Sequence, residues 1–273
     1  MSRELPPLDL HAHIDPGVAP RELEQLGAVV FAATRSATEF ERTTHRTDQV
    51  TIWGLGCHPG VAAAHADFDA ERFAELMQKT PFISEVGLDG GARTDIETQT
   101  EIFRAILTLA TQTPRIVSVH SKRATSRVLD LIEESGAPGI VLHWWMGSQA
   151  ETERAIRLGC LFSVNKSMDC GRLRRAGVPL DRLLPETDHP AGNGRGDGPK
   201  QPGWTLDVEQ AVAVEFGITP AEVRTQFWRT LAGLALGLNL DGLFPRPVRA
   251  MLDAARPRAG DTGSPAVGQE GQT

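Results

Sequence analysis

The sequence predicts an α/β fold, a (β/α)8 TIM-like barrel with its active site at the C-terminal ends of the strands. Three observations predict it. Short apolar runs alternate with segments of helical period, which implies parallel strands joined by crossovers. Eight such runs fit within about 180 residues, which favours a closed barrel over the open doubly wound sheet that would alternate in the same way. The 273 residues suit one large domain better than two, since barrels of this class run past about 200 residues as one unit.

The strand candidates, in order, are Leu8–Ile14, Ala28–Ala33, Thr51–Gly56, Phe82–Val86, Arg115–His120, Gly139–His143, Leu161–Val164 and Leu183–Thr187. Each is a short apolar run. Between most of them lie amphipathic stretches, among them Phe68–Gln78, Glu97–Ala110, Arg127–Glu134 and Glu151–Leu158. A Gly/Pro-rich loop, Ala191–Gly203, follows the eighth run, and helical material then continues through Gly237. Residues 257–273 are small, polar and aperiodic and are read as a disordered tail, so residues 1–256 form the single expected domain. No internal repeat interrupts this order.

Composition narrows the function. A hydrophobic fraction of 40% and a charged fraction of 23% are those of a soluble globular protein, large enough to bury a core without staples. Any metal is therefore expected to be catalytic, not structural. The net charge of −7 excludes a global basic field for nucleic acid, although bound divalent ions can supply positive charge locally. Cys57, Cys160 and Cys170 are widely spaced, odd in number and form no CxxC, which fits a reducing compartment and no zinc ribbon. No signal pattern and no membrane-length apolar run is present, so the expectation is a cytoplasmic protein without a membrane partner.

The chemistry is carried by what ends the apolar runs. His11 and His13, two apart on the first run, project to one face and can chelate one ion with two imidazoles. Glu85 follows Phe82-Ile83-Ser84, a costly place for an unpaired carboxylate, and its two oxygens can bridge two cations. His120 closes VSVH and His143 closes IVLH. Asp188, in LLPETDHP, can ligate a metal and accept a proton from water. Each has a plain alternative: hydrogen-bonded barrel histidines, an Arg-paired glutamate, an Asx turn before Pro190. Six such residues at five strand ends, in the order HxH, E, H, H, D, point together to a metal site. Four imidazoles and two carboxylates without a thiolate suit divalent ions such as Zn, Mn or Mg, the last least well. With one acid bridging, the six side chains can hold two ions, and such a pair clamps a phosphate oxygen and generates hydroxide near neutral pH.

These motifs resemble the TatD-type metal-dependent nucleases of the amidohydrolase superfamily. The matching stretches are LDLHAHID, GLGCHPG, ISEVGLD, VSVHSKRA, VLHWWMGS, RLGCLFSVN and LLPETDHP, in family order over roughly residues 8–190. In detail the GLDGG form at Gly87–Gly91, HSKRA and LGCLFSVN are most similar to the TatD-like component of Qat anti-phage defence operons. The resemblance implies that His11, His13, Glu85 and Asp188 hold one metal and that Glu85, His120 and His143 hold the second, with Glu85 and Asp188 catalytic. It places His58, in GCHPG, near the substrate phosphate, where the plain reading is a turn histidine before Pro59. It makes Glu186 an acid behind the ligands or against the substrate. The implied activity is metal-dependent cleavage of phosphodiester bonds in DNA, in some members also RNA, usually from an end. Other subunits of a defence complex are the implied partners.

Two stretches depart from the family. The last barrel loop reads GRGDGPKQPG where an Arg-Asn-Pro stretch is usual, and the Asn usual in the C-terminal helix is replaced within FWRTLAGLA. Both concern substrate access, not metal binding. The competing functions are a metal-dependent amidohydrolase or esterase acting on a small molecule and a non-catalytic binding subunit that retains the fold. Small-molecule members often carry a carbamylated lysine bridge, a role that here falls to Glu85. Arg172, Arg174 and Arg175 form the densest basic patch, a candidate guide for a nucleic-acid strand. Trp144 or Trp145 is a candidate for stacking on a base, with packing as its alternative.

Overall fold

The structure, a computed structural model, describes residues 4–192 and 199–256. Its strands, in chain order, are β1 (Leu8–Ala12), β2 (Val29–Ala33), β3 (Thr51–Gly54), β4 (Phe82–Gly87), β5 (Ile116–His120), β6 (Ile140–Leu142), β7 (Leu161–Val164) and β8 (Leu183–Pro185). All ladders are parallel and join neighbours in sequence, β1 to β3 in one set and β4 to β8 in the other. Single bridges complete the ring, Leu55 with Ile83 and Ala12 with His189. At the second, the Asp188 amide donates to the His11 carbonyl at 2.8 Å and the His13 amide to the His189 carbonyl at 2.9 Å. The fold is therefore the TIM-type barrel that the alternation predicts. Every residue of β1, β2, β3 and β4 is buried, as continuous apolar strands of a parallel barrel must be.

Strand ends differ from the expected runs in a consistent way. β1 stops at Ala12 instead of Ile14, β6 at Leu142 instead of His143, and β8 at Pro185 instead of Thr187. The assigned strands stop where the polar residues begin, although the His143 amide still donates to the Val119 carbonyl at 3.0 Å and the Glu186 amide to the Val164 carbonyl at 2.9 Å. The register also shifts between Asp9 and Ala12 in β1 and between Ile83 and Val86 in β4. Such irregularities bend a strand and re-aim its side chains. β4 runs one residue further than expected, to Gly87, whose φ is +127°. A Cβ there would lie 2.2 Å from the His120 carbonyl oxygen, so glycine is what lets the end of β4 press against the end of β5.

The helices are α1 (Pro20–Gln25), α2 (Ala37–Glu41), α3 (Ala62–Ala66), α4 (Ala70–Met77), α5 (Ile96–Gln112), α6 (Thr125–Ser135), α7 (Gln149–Arg157), α8 (Cys170–Arg175), α9 (Leu206–Phe216), α10 (Pro220–Gly237) and α11 (Arg246–Ala255). The four amphipathic stretches correspond to α4, α5, α6 and α7. Asp69 and Asp95 cap α4 and α5, a Ser148–Glu151 capping box opens α7, and Gly136 in the left-handed conformation ends α6. α10 is tied to the barrel by Trp228, whose indole N–H donates to the Pro6 carbonyl at 2.8 Å, and to α9 by the Arg224–Glu209 pair at 2.7 Å. α11 was not expected. Pro245 and Pro247 interrupt the pattern there, yet proline is compatible with a helix start, and Val248, Leu252 and Ala255 form its buried stripe.

The expected tail, 257–273, and residues 193–198 of the Gly/Pro-rich loop lie outside the described residues. Among the described residues, no helix is long and apolar enough to cross a membrane.

Candidate metal centre

The barrel brings all six predicted ligands to its C-terminal mouth. His11 lies on β1, Glu85 on β4 and His120 at the end of β5, while His13, His143 and Asp188 follow β1, β6 and β8. Glu85 is at the centre, 2% exposed. Its two oxygens face different imidazoles. Oε2 is 2.9 Å from His13 Nε2, 3.1 Å from His58 Nε2 and 3.6 Å from His11 Nε2. Oε1 is 2.7 Å from His120 Nδ1 and 3.9 Å from His143 Nε2. Asp188 Oδ1 closes the first group from the far side, 3.8 Å from His13 Nε2 and 4.0 Å from His11 Nε2. The His11 and His143 rings stack at 4.0 Å, linking the two groups.

The partners of the other ring nitrogens fix what each imidazole can offer. His13 Nδ1 is 3.1 Å from the Ala33 carbonyl, so it carries the proton and leaves Nε2 a lone pair. His143 Nδ1 is 2.9 Å from the Glu186 carboxylate, with the same result. His11 Nδ1 meets the Ser118 hydroxyl at 2.8 Å, a partner compatible with either tautomer. His58 is the opposite case. The Gly60 amide donates to its Nδ1 at 2.8 Å, so in the neutral ring Nε2 bears the hydrogen. His58 therefore stands beside Glu85 and His120 as a proton donor, not as a lone-pair ligand, although the three fall within ligating distance of one another.

Burial and charge act against each other here. Burial alone would raise Glu85, but the surrounding imidazoles outweigh it and hold the carboxyl well below its usual range. Burial would lower His143, and the Glu186 carboxylate beside it instead pushes it up to about 10, so without a cation Nε2 also holds a proton, which a cation would have to displace to use its lone pair. His11, buried next to His143, falls to about 4. Burial raises Asp188 to about 6 despite the nearby His143.

These residues fit divalent cations. His11 Nε2, His120 Nε2 and Glu85 Oε2 are buried without a hydrogen bond, for the His13 and His58 approaches to Glu85 Oε2 lack hydrogen-bond geometry. Buried polar atoms cost stability unless something meets them, and a cation meets several at once. Clusters of ligating atoms are also found at His11, His143 and Asp188 and at His11, His13 and Glu85. His143 thus groups with His11 and Asp188, whereas the cluster around Glu85 and His120, the set in which the resemblance placed it, is completed by His58, with His143 Nε2 3.9 Å from Glu85 Oε1.

Other candidates fall elsewhere. Glu186 is fully buried and accepts from His143 Nδ1, the Ser163 hydroxyl and, at 3.0 Å, the Asn165 amide. It sits behind His143, not against a substrate. Arg172 donates to the Gly147 carbonyl at 2.8 Å, Arg174 lies over Phe216 at 5.3 Å and Arg175 pairs with Asp169 at 2.9 Å. The three do not form one free basic patch. Trp145 is in the core, its indole bonded to Thr152, whereas Trp144 is half-buried with φ +41° and its ring 6.5 Å from His143. Asp89 was given no role from sequence, yet its Oδ2 faces His120 Nε2 at 3.4 Å. Its position, four residues beyond Glu85 in EVGLD, was the available signal.

A closed parallel barrel that gathers four imidazoles and two carboxylates at its C-terminal mouth defines a metal-dependent hydrolase. The chain belongs to the TatD-related DNase family, whose sequence profile matches residues 8–234. It is similar to deoxyribonuclease TATDN3 of Homo sapiens, 24% identical over 246 residues, or 79% of this chain and 89% of that protein. An uncharacterized metal-dependent hydrolase, TatD of Mycobacterium tuberculosis, is 32% identical over 212 residues, covering 67% of this chain and 79% of that protein. The 3′-5′ ssDNA/RNA exonuclease TatD of Klebsiella pneumoniae is 29% identical over 147 residues, 50% of this chain and 56% of that protein. In fold it resembles YJJV, a TatD homologue from Escherichia coli K12, with a TM-score of 0.73 and 24% identity over 86% of this chain and 98% of that one.

Proposed function

We propose that this protein hydrolyses phosphodiester bonds in DNA, trimming single strands from an end, with two divalent cations (Mg, Mn or Zn) held at the barrel mouth. The observation that carries the reading is the division of imidazoles between the two oxygens of Glu85, His11 and His13 toward Oε2 and His120 and His143 toward Oε1. One carboxylate would join two cation positions, with Asp188 completing the first. Two cations supply Lewis acidity toward phosphoryl oxygens and favour ionisation of water at neutral pH.

The chain's own residues do the rest. The Asp188 carboxylate, raised by burial to about 6, accepts a proton from the attacking water. His58, with Nε2–H turned inward by the Gly60 amide, donates to a phosphoryl oxygen. Glu186 keeps His143 in its donating tautomer. A net charge of −7 suits a small footprint on nucleic acid, one terminus entering a pocket while the cations provide the attraction. The name of the Klebsiella relative supports the exonucleolytic, single-stranded assignment.

The test is digestion of end-labelled single-stranded and duplex DNA and RNA by chelator-stripped protein resupplied with each cation. A ladder shortening from one end of single-stranded DNA is expected. Hydrolysis of small esters or amides with no cleavage of any nucleic acid would replace this reading. The similarity of GLDGG, HSKRA and LGCLFSVN to a Qat component supports a further proposal, service in a multi-subunit antiviral assembly. Co-expression with its genomic neighbours should then yield a stable complex, and a chain that purifies alone would contradict it.

A further inference from the structure

Asp9 is fully buried on β1, two residues before His11, and none of the chemistry above uses it. Its carboxylate nevertheless accepts four hydrogen bonds. Oδ1 takes the Thr187 amide at 2.8 Å and the His11 amide at 3.3 Å. Oδ2 takes the Thr187 hydroxyl at 2.7 Å and the Gly203 amide at 2.8 Å. The Thr187 hydroxyl in turn accepts from the His189 amide at 3.2 Å.

Asp188 lies between Thr187 and His189, so Asp9 holds the backbone before it directly and the backbone after it through the Thr187 hydroxyl. Asp188 itself has φ +42°, a left-handed conformation that a non-glycine residue keeps only when its surroundings impose it. Gly203 reaches Asp9 from the other end of the loop that leaves β8. Its φ is +79°, and a Cβ there would stand 2.6 Å from the Ala28 Cβ, so this close approach requires glycine.

We propose that Asp9 is a positioning residue, a buried clamp that sets the left-handed turn presenting Asp188 to the metal centre and anchors the far end of the β8 loop at Gly203. Its effect on the cations rests on the function proposed above, whereas its hold on the loop does not. Replacing the carboxylate by an amide removes acceptor capacity where donors converge, so Asp188 and Gly203 should loosen together.

The test compares wild type, Asp9→Asn, Asp188→Asn and the double variant, with Thr187→Val as a milder cut in the same network. The first readout is cleavage after the exposed Lys200 by a lysine-specific protease, in chelator and without any cation. Asp9→Asn should be cut at least about tenfold faster there, as expected when a buried acceptor holding a local segment is lost. The second readout is manganese affinity, which should fall about 10- to 100-fold in Asp9→Asn, the range for residues that orient a ligand. In the Asp188→Asn background the same change should cost less than about threefold more, because the two act through one group. Thr187→Val should move both readouts in the same direction by less.

A folded Asp9→Asn with wild-type cleavage after Lys200 overturns the clamp, as does a loss of manganese affinity fully additive with Asp188→Asn. If Asp9→Asn does not fold, wild-type manganese affinity and Lys200 cleavage in Thr187→Val overturn it instead. Should wild type bind no cation, the proposed function fails, and the Lys200 comparison still decides whether Asp9 holds the loop.

Discussion

Glu186 accepts a hydrogen bond from Nδ1 of His143 at 2.9 Å, which commits that nitrogen to its proton and leaves Nε2 turned toward Glu85. The same carboxylate takes bonds from Ser163 and Asn165, so its position is fixed from three sides. Glu186→Gln removes the charge while keeping the shape. It should weaken cation binding about 10- to 100-fold, as measured by competition with a chelator. Unchanged affinity would mean that His143 is not a ligand.

Asp188 combines a carboxylate raised to about 6 with an approach to His11 at 4.0 Å and to His13 at 3.8 Å. Asp188→Asn should reduce turnover at least about a hundredfold, a typical general-base contribution. Single-turnover kinetics on an end-labelled oligonucleotide measures it. Normal turnover by a variant that still holds cations would assign the proton to another acceptor.

The arginines after β7 have separate roles, and mutation should separate them. Arg172 holds the loop after His143 by donating to the Gly147 carbonyl, so Arg172→Ala should raise KM for oligonucleotides and also lower Tm. Arg174→Glu and Arg175→Glu alter side chains already engaged with the Phe216 ring and with Asp169, and should change KM less than about twofold, since exposed contacts of either kind contribute little. Equal KM losses from all three would restore the single basic patch expected from sequence.

The cysteines give a prediction about pH. Burial pushes Cys57 and Cys160 up to about 12 and Cys170 to about 11, from an ordinary value of 9.0. The folded state thus keeps thiol protons that the unfolded chain has lost. Their contribution to stability is complete below pH 9.0 and declines as pH rises toward 11 and 12. Thiol titration at pH 8 should find no fast-reacting cysteine in the folded protein and all three in denaturant. A fast-reacting thiol in the folded state would contradict the burial.

The barrel was legible because parallel strands buried on both faces read as continuous apolar runs, and because polar residues ending those runs have few reasons to be there. Glu85 after Phe82-Ile83-Ser84 and His143 after Ile140-Val141-Leu142 stand out on that ground. The proton on each imidazole was not legible. It depends on Ala33 for His13, Glu186 for His143 and Gly60 for His58, contacts that exist only once the chain has closed. Asp9 escaped notice for the same reason, since its donors Thr187 and Gly203 are remote in sequence. The arginine cluster misled in the other direction. Neighbours in sequence point apart on the short α8, each to a partner of its own.

The central claim is that Glu85 joins two cation positions. The direct measurement is the manganese content of reloaded wild type and Glu85→Ala, read by elemental analysis beside a circular-dichroism control for folding. Two ions per chain are expected in wild type and fewer than one in a folded Glu85→Ala, because both positions lose a ligand together. A folded Glu85→Ala that retains two ions would contradict the account.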